Sequence, residues 1–129
     1  MQLRRLSLLL ALAWMGWIFY LSHQPTLGFP PLFPHQDKLM HFTAYAVLGG
    51  FLLGALALPP SGHGARQVLL ATIVASLYGA SDEIHQAFVP GRNPDVIDWL
   101  ADTAGALTAA LLLAAISRRL SRKNVRQAA

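Results

Sequence analysis

Four long apolar segments, separated by short stretches rich in proline or polar residues, constrain this fold more than any other feature. About 20 apolar residues in a helix cross the hydrocarbon core of a bilayer, and each segment approaches that length. The sequence therefore predicts an all-α membrane protein with four transmembrane helices in a compact bundle. The predicted single domain covers residues 1–129, with helices near 6–22, 38–58, 67–88 and 95–116 and a basic tail over 117–129.

Prolines and capping residues set the expected helix ends. Four prolines between residues 23 and 36 predict a loop, because proline has no N–H to donate within a helix. Asp37 suits the N-cap of the second helix, and Pro94 suits the start of the fourth. The histidines of the connecting segments are expected to be solvated: His23, His35 and His63.

Composition excludes several classes of function. The chain is 54% hydrophobic and 12% charged, against about 25% charged for a soluble domain. It has no cysteine, which excludes a disulfide, a thiolate nucleophile and a cysteine-ligated metal. The pI of about 10.1 does not predict nucleic-acid binding, because the basic residues flank apolar segments instead of forming a continuous surface. The expected partner is the lipid bilayer.

Charge asymmetry predicts the orientation of the chain. In a four-helix topology, eight of the ten Lys and Arg residues fall on one side of the membrane and all six acids fall on the other. Because cytoplasmic segments carry the excess of basic residues, both termini are expected in the cytoplasm. The predicted location is the cytoplasmic membrane. Two basic residues remain for the external side, Lys38 and Arg92.

One polar segment organises the candidate site. Residues 78–92 follow an apolar run, yet the adjacent acids Asp82 and Glu83 stand beside His85 and Gln86. Charged groups inside a membrane are costly and are commonly functional. We therefore expect these side chains to have polar partners on other helices.

Helical spacing supplies such partners from two other helices. Asp37, His41 and Tyr45 repeat every four residues and share one face of the second helix. Asp98 and Asp102 have the same spacing on the fourth helix. The predicted topology brings both faces and the acidic segment to one side of the membrane, where they are expected to form an external pocket.

Residue chemistry suggests roles within this pocket. Asp82, Glu83 and His41 are the candidate catalytic groups, because close carboxylates raise one pKa towards the range that suits proton transfer. Arg92 and Lys38 are candidates for holding an anion, and the guanidinium suits a phosphate or carboxylate bidentately. The full set of candidate binding residues is Lys38, Arg92, Tyr45, Gln86, Asp37, His85, Asp98 and Asp102.

A metal site is a second interpretation of the same residues. Asp82 and Glu83 with His41 and His85 are suitable ligand types for a divalent ion. The sequence contains no HExxH-like spacing that would support such a site. The prediction is therefore no metal, and the sequence requires no cofactor.

A structural network is a third interpretation. Asp82 or Glu83 could pair with Arg92, and Asp98 could pair with Lys38, without any ligand. Such buried ion pairs and hydrogen bonds would fix four short helices against one another.

Three motifs resemble the VanZ-like family of small integral membrane proteins. They are residues 37–45 (DKLMHFTAY), residues 82–86 (DEIHQ) followed by Pro90-Gly91-Arg92, and residues 98–105 (DWLADTAG). The resemblance runs through nearly the whole chain, and one family member is associated with resistance to the glycopeptide teicoplanin. Many members carry asparagine where this chain has Asp102. By resemblance, the signature positions are Asp37, His41, Tyr45, Asp82, Glu83, Gln86, Arg92 and Asp98.

Two functional hypotheses follow. In the first, a cell-envelope membrane protein uses an external polar pocket to bind an anionic molecule that is lipid-linked or related to the cell wall, and processes it if the carboxylates are catalytic. In the alternative, the protein is a non-catalytic membrane module whose polar residues form a structural network and which acts through a partner protein. An enzyme would keep its activity when purified alone, whereas a module would only bind.

Overall fold

The computed structural model describes residues 2–25, 32–56 and 62–128. Within these ranges the chain forms four helices: α1 (Gln2–Ser22), α2 (Gln36–Ala55), α3 (Ala65–Gln86) and α4 (Val96–Ala128). Every helix contacts at least two others, and α2 packs against α4 most extensively. The predicted all-α fold of four compactly packed helices is confirmed.

Glycines allow α2 and α4 to pack closely. A Cβ atom added at Gly49 would lie 2.7 Å from the backbone of Ala106. One added at Gly105 would overlap the carbonyl oxygen of Phe42. Small residues permit this approach of two backbones, as they commonly do between helices in lipid. The α2–α4 pair is thus the most extensively packed part of the bundle.

The helices run alternately up and down. The indole of Trp14 donates to the carbonyl of Ala44 over 2.8 Å, which joins α1 to α2. The Tyr78 hydroxyl donates to the carbonyl of Met15 over 2.6 Å, which joins α1 to α3. At the helix ends, Arg4 of α1 bonds to Ala55 of α2, Ser22 of α1 bonds to Asp82 of α3, and Lys38 of α2 pairs with Asp98 of α4. The C-terminal ends of α1 and α3 therefore meet the N-terminal ends of α2 and α4. We call this the polar end, and it carries Ser22, Asp37, Gln86 and Asp98.

Three of the helices in the described ranges, α1, α2 and α4, are long and apolar enough to cross a membrane. Large apolar side chains are exposed along them, as lipid contact requires, including Leu9 and Leu112. Helix α3 carries Arg66 near its start and the two adjacent acids near its end. Its assignment as a fourth span stays a prediction.

Two helix starts differ from the sequence prediction. Helix α2 begins at Gln36 after His35, which has φ 61°, so Asp37 is not the N-cap but lies in the first turn. An acid there still interacts favourably with the helix dipole. Helix α4 begins at Val96 after Asp95, whose Oδ1 accepts the N–H of Ile97 over 2.8 Å. Asp95 therefore acts as the N-cap, and Pro94 lies before the helix.

Helix α4 is longer than predicted. We expected a helix ending near residue 116 and a separate basic tail, but the helix continues to Ala128. Residues 117–128 contain no glycine or proline and are rich in Arg, Lys, Leu and Gln, which are good helix formers. Positive side chains also interact favourably with a helix C-terminus. Helix α2 was predicted to end near 58 but ends at Ala55, because Leu56 is extended, with φ −74° and ψ 158°.

One histidine prediction was wrong. His63 is 7% exposed, and its burial lowers its pKa. Its backbone N–H donates to the Ser117 hydroxyl over 3.0 Å. The preceding Gly62 has φ 86°, and a Cβ there would lie 2.7 Å from the backbone nitrogen of Arg118. His23 and His35 are exposed, as predicted.

Candidate functional site

Lys38 is the centre of a carboxylate network at the polar end. Its Nζ lies 2.8 Å from Asp37, 2.6 Å from Asp95 and 2.9 Å from Asp98. The ammonium donates hydrogen bonds to Asp37 and Asp95 and forms an ion pair with Asp98, whose Oδ1 has no hydrogen-bond partner in the described residues. This network joins the start of α2 to the start of α4.

Asp95 extends the network to α3. Its backbone N–H donates to Oε2 of Glu83 over 2.7 Å. Its carboxylate accepts from Lys38, and this hydrogen bond is the main reason that the pKa of Asp95 lies below its usual value. The segment between α3 and α4 is therefore held to both neighbouring helices.

His41 and Asp102 form a buried pair between α2 and α4. The His41 Nδ1 lies 2.9 Å from Oδ1 of Asp102, and its Nε2 lies 3.9 Å from Oδ2 of Asp98. Asp102 is fully buried. Gly79 on α3 makes room for it, since a Cβ there would lie 2.8 Å from Oδ2 of Asp102. The glycine thus allows a carboxylate to occupy the centre of the helix bundle.

Asp82 connects α3 to α1. Its Oδ2 accepts a hydrogen bond from the Ser22 hydroxyl over 2.8 Å and another from Gln86 Nε2 over 3.2 Å. Gln86 also donates over 3.5 Å to Oε1 of Glu83. The two adjacent acids therefore face different helices, with Asp82 towards α1 and Glu83 towards the start of α4.

A cavity of about 130 Å³ lies between α1, α2 and the end of α3. Its polar lining consists of Ser22, Asp37, His41, Tyr45, Asp82 and Arg92. Its apolar lining consists of Ile18, Leu21, Met40 and Ala44. The cavity thus has one polar side and one apolar side, as a site for an amphipathic ligand requires.

Three of the residues that line this cavity each have a polar side-chain atom without a hydrogen-bond partner in the described part of the chain. These atoms are Nε of Arg92, the hydroxyl of Tyr45 and Oδ1 of Asp82, and all three are buried. Arg92 also forms no ion pair with any residue that the structure describes. Buried polar groups without partners are uncommon and call for a ligand or water.

His85 does not line the cavity. Its Nε2 lies 3.3 Å from Nδ1 of His23, and its ring lies 4.6 Å from that of Phe19. The side chain faces the last turn of α1 instead. The sequence placed His85 among the candidate binding residues, and the structure separates it from them.

The other predicted site residues come together at the polar end. Five of them line the cavity: Asp37, His41, Tyr45, Asp82 and Arg92. The remaining five make the contacts that surround it: Lys38, Glu83, Gln86, Asp98 and Asp102. Sequence reasoning missed Ser22, Asp95 and Gly79, although Asp95 stands directly before a helix as N-caps do.

The fold and this site define an all-α membrane protein with a buried polar cluster at one end of its helix bundle. A family model described as VanZ/LLP1 matches residues 7–117. The chain belongs to the VanZ/LLP1 family, which confirms the resemblance of its motifs. No curated protein and no solved structure matches the chain.

Proposed function

We propose that the polar end faces the outside of the cytoplasmic membrane, with both termini in the cytoplasm and α3 as a fourth span. The up-and-down order places the termini of the chain at the opposite end. Eight of the ten basic residues belong to that opposite end. The positive-inside rule then gives the orientation.

We propose further that the cavity binds the anionic headgroup of a lipid-linked molecule of the cell envelope. The observation that carries this proposal is Arg92, a cavity-lining guanidinium without an ion pair in the described residues. Lys38, the other cation at this end, already forms ion pairs with three carboxylates. The anion is therefore assigned to Arg92 and not to Lys38.

The unpartnered atoms favour a phosphomonoester as the headgroup. Arg92 and Tyr45 offer donors, and guanidinium binds phosphate through two parallel hydrogen bonds. Asp82 offers an acceptor, which requires a ligand that also carries a proton. A phosphomonoester has its second pKa near about 6 and is partly protonated near neutral pH.

The size and lining of the cavity agree with this ligand. A volume of about 130 Å³ is well below the roughly 300–1,000 Å³ of pockets that enclose a drug-sized molecule. The cavity therefore admits a headgroup and not a whole lipid. The apolar side chains of α1 and α2 would contact the start of the lipid chain.

The remaining candidate residues have supporting roles in this proposal. Ser22 and Gln86 orient the Asp82 carboxylate, whose second oxygen is left for the ligand. His41, at the edge of the cavity, is the group best suited to exchange a proton with a bound phosphate. Glu83 acts indirectly, because its carboxylate accepts a hydrogen bond from the backbone N–H of Asp95 in the segment between α3 and α4.

A binding experiment with short-chain lipids tests this function. Protein purified in a neutral detergent is titrated with dioctanoyl phosphatidic acid, which is a phosphomonoester, and with dioctanoyl phosphatidylcholine as the zwitterionic comparison. We expect saturable binding of phosphatidic acid. Arg92→Lys should weaken this binding by more than about tenfold, or about 1.4 kcal/mol, because an ammonium cannot form the two parallel hydrogen bonds of a guanidinium.

Arg66→Gln is the matched control. Arg66 is exposed near the start of α3, at the opposite end of the bundle. Equal binding of both lipids, or equal loss of binding in both arginine variants, would contradict a specific anion site at Arg92.

The non-catalytic module remains the second candidate, because part of the polar cluster is fully paired within the protein. The Lys38 ammonium forms ion pairs with three carboxylates of the protein itself. A module that acts through a partner protein would show no saturable lipid binding when purified alone. The same titration therefore separates the two candidates.

A further inference from the structure

Three potential metal ligands from three helices converge at the polar end. They are His41 on α2, Glu83 on α3 and Asp102 on α4, and one donor atom of each lies within 4.8 Å of the other two. The sequence-based interpretation grouped His41 with Asp82, Glu83 and His85. The structure replaces two of those four residues with Asp102.

These three side chains are shielded from solvent. The His41 side chain is 16% exposed, and Glu83 and Asp102 are 7% and 0% exposed. Oδ2 of Asp102 is buried and has no hydrogen-bond partner in the described ranges. A carboxylate oxygen at that depth, beside two other ligand atoms, is an acceptor that a cation would satisfy.

The charges around this cluster do not balance among the residues that the structure describes. Four acids here are each at most 7% exposed: Asp82, Glu83, Asp98 and Asp102. Lys38 is shared by three carboxylates, and Arg92 forms no ion pair. Buried carboxylates without a counter-ion are strongly unfavourable. A bound cation would supply the missing positive charge.

We propose that His41, Glu83 and Asp102 bind a divalent transition-metal ion. One imidazole nitrogen and two carboxylate oxygens suit Zn²⁺ or Mn²⁺, whereas Mg²⁺ and Ca²⁺ prefer oxygen ligands alone. Bonds of about 2.0–2.2 Å place ligands of one ion up to about 4 Å apart. Because the three ligand atoms already lie within 4.8 Å of one another, small side-chain rotations would bring them to these distances. Because His41 also lines the cavity, the ion lies at its edge.

The first experiment uses the unaltered chain and measures its metal content. The protein is purified without a polyhistidine tag, and its bound metals are counted by inductively coupled plasma mass spectrometry. The site predicts about one Zn²⁺ or Mn²⁺ per chain. Stripping with a chelator should lower the melting temperature, and returning the ion should restore it, because a ligand that binds the folded state stabilises it.

Wild-type protein that carries no transition metal, and whose melting temperature does not respond to either ion, would overturn the proposal. Mg²⁺ serves as the comparison ion in the same titration. A response to Mg²⁺ equal to that of Zn²⁺ and Mn²⁺ would also overturn it, since the histidine would then contribute nothing to selectivity.

The second experiment assigns the ligands. His41→Gln and Asp102→Asn should each lower the bound metal by more than about tenfold. His85→Gln is the matched control, because His85 contacts His23 and not the proposed site. If His85→Gln loses the metal and His41→Gln keeps it, the ion is bound at His23 and His85. That result would overturn the proposal.

This inference shares His41 with the lipid-binding proposal, but the two fail separately, because the anion is assigned to Arg92 and the metal to His41, Glu83 and Asp102. Metal content and metal-dependent melting report on the three-residue site in the absence of any lipid. Loss of phosphatidic acid binding in Arg92→Lys, at unchanged metal content, reports on the anion site alone.

Discussion

Two cations share the polar end, and their surroundings are opposite. Lys38 contacts three carboxylates within 2.9 Å. Arg92 lines the cavity with a buried Nε that has no partner in the described chain. The residues are of the same sign and lie at the same end of the bundle, yet one is fully paired and the other is not.

This difference distinguishes, within one polar cluster, a residue that holds the helices together from a residue that is available to bind a ligand. A lysine that forms ion pairs with three carboxylates holds helices together, and its charge is already compensated within the protein. An arginine without a carboxylate partner contributes little to the stability of the fold, and its guanidinium donors are available to an external anion. The two residues should therefore respond oppositely to mutation, with Lys38 affecting stability and Arg92 affecting binding.

The largest expected effect on stability is that of Lys38→Met. Removing the ammonium leaves the buried Asp98 and its two neighbouring carboxylates without a counter-ion, which costs roughly 3–5 kcal/mol for a buried pair. We expect a clear drop in the melting temperature of the detergent-solubilised protein. Lys38→Arg, which keeps the charge, should lose much less, and a wild-type melting temperature in Lys38→Met would contradict a structural network.

A smaller effect is expected from Ser22→Ala. This change removes the 2.8 Å hydrogen bond to Asp82, and the loss of one such bond costs about 1 kcal/mol. Ser81→Ala is the control, because the exposed Ser81 hydroxyl bonds only to a carbonyl of its own helix. Equal thermal stability of the two variants would show that α1 is not held to α3 through Asp82.

A pH effect of the Lys38 network should be smaller still. Hydrogen bonding from Lys38 lowers the pKa of Asp95 below its ordinary value of 3.8. Because the folded-state pKa is the lower one, the stabilisation is present above the unfolded value and is lost as the pH falls through the folded pKa. Asp95→Asn, which keeps a capping side chain, should show a shallower loss of stability between about pH 5 and pH 3. An identical pH profile for both proteins would contradict the Asp95–Lys38 bond.

Much of the architecture was predictable from the sequence. The lengths of the apolar segments gave four helices, and the spacing of Asp37, His41 and Tyr45 gave one polar face on α2. The extension of α4 was missed because a basic segment without glycine or proline is equally compatible with a surface tail.

The pairing of side chains was not predictable to the same degree. His85 and Gln86 both lie about one turn after Asp82, but they differ by about 100° around the helix axis. The rotation of α3 against α1 determines that Gln86 faces inward and His85 does not. Asp82 and Arg92 line the same cavity but form no ion pair, although charge alone had suggested one.

The most direct test of the contrast between Lys38 and Arg92 is the thermal stability of Arg92→Gln, alone and combined with Asp82→Asn. If Arg92 is reserved for a ligand, the single variant should melt near wild type in lipid-free detergent, and the second change should restore nothing. If Arg92 is instead the counter-ion of Asp82, the single variant should lose roughly 3–5 kcal/mol. Recovery of that loss in the double variant would contradict the account.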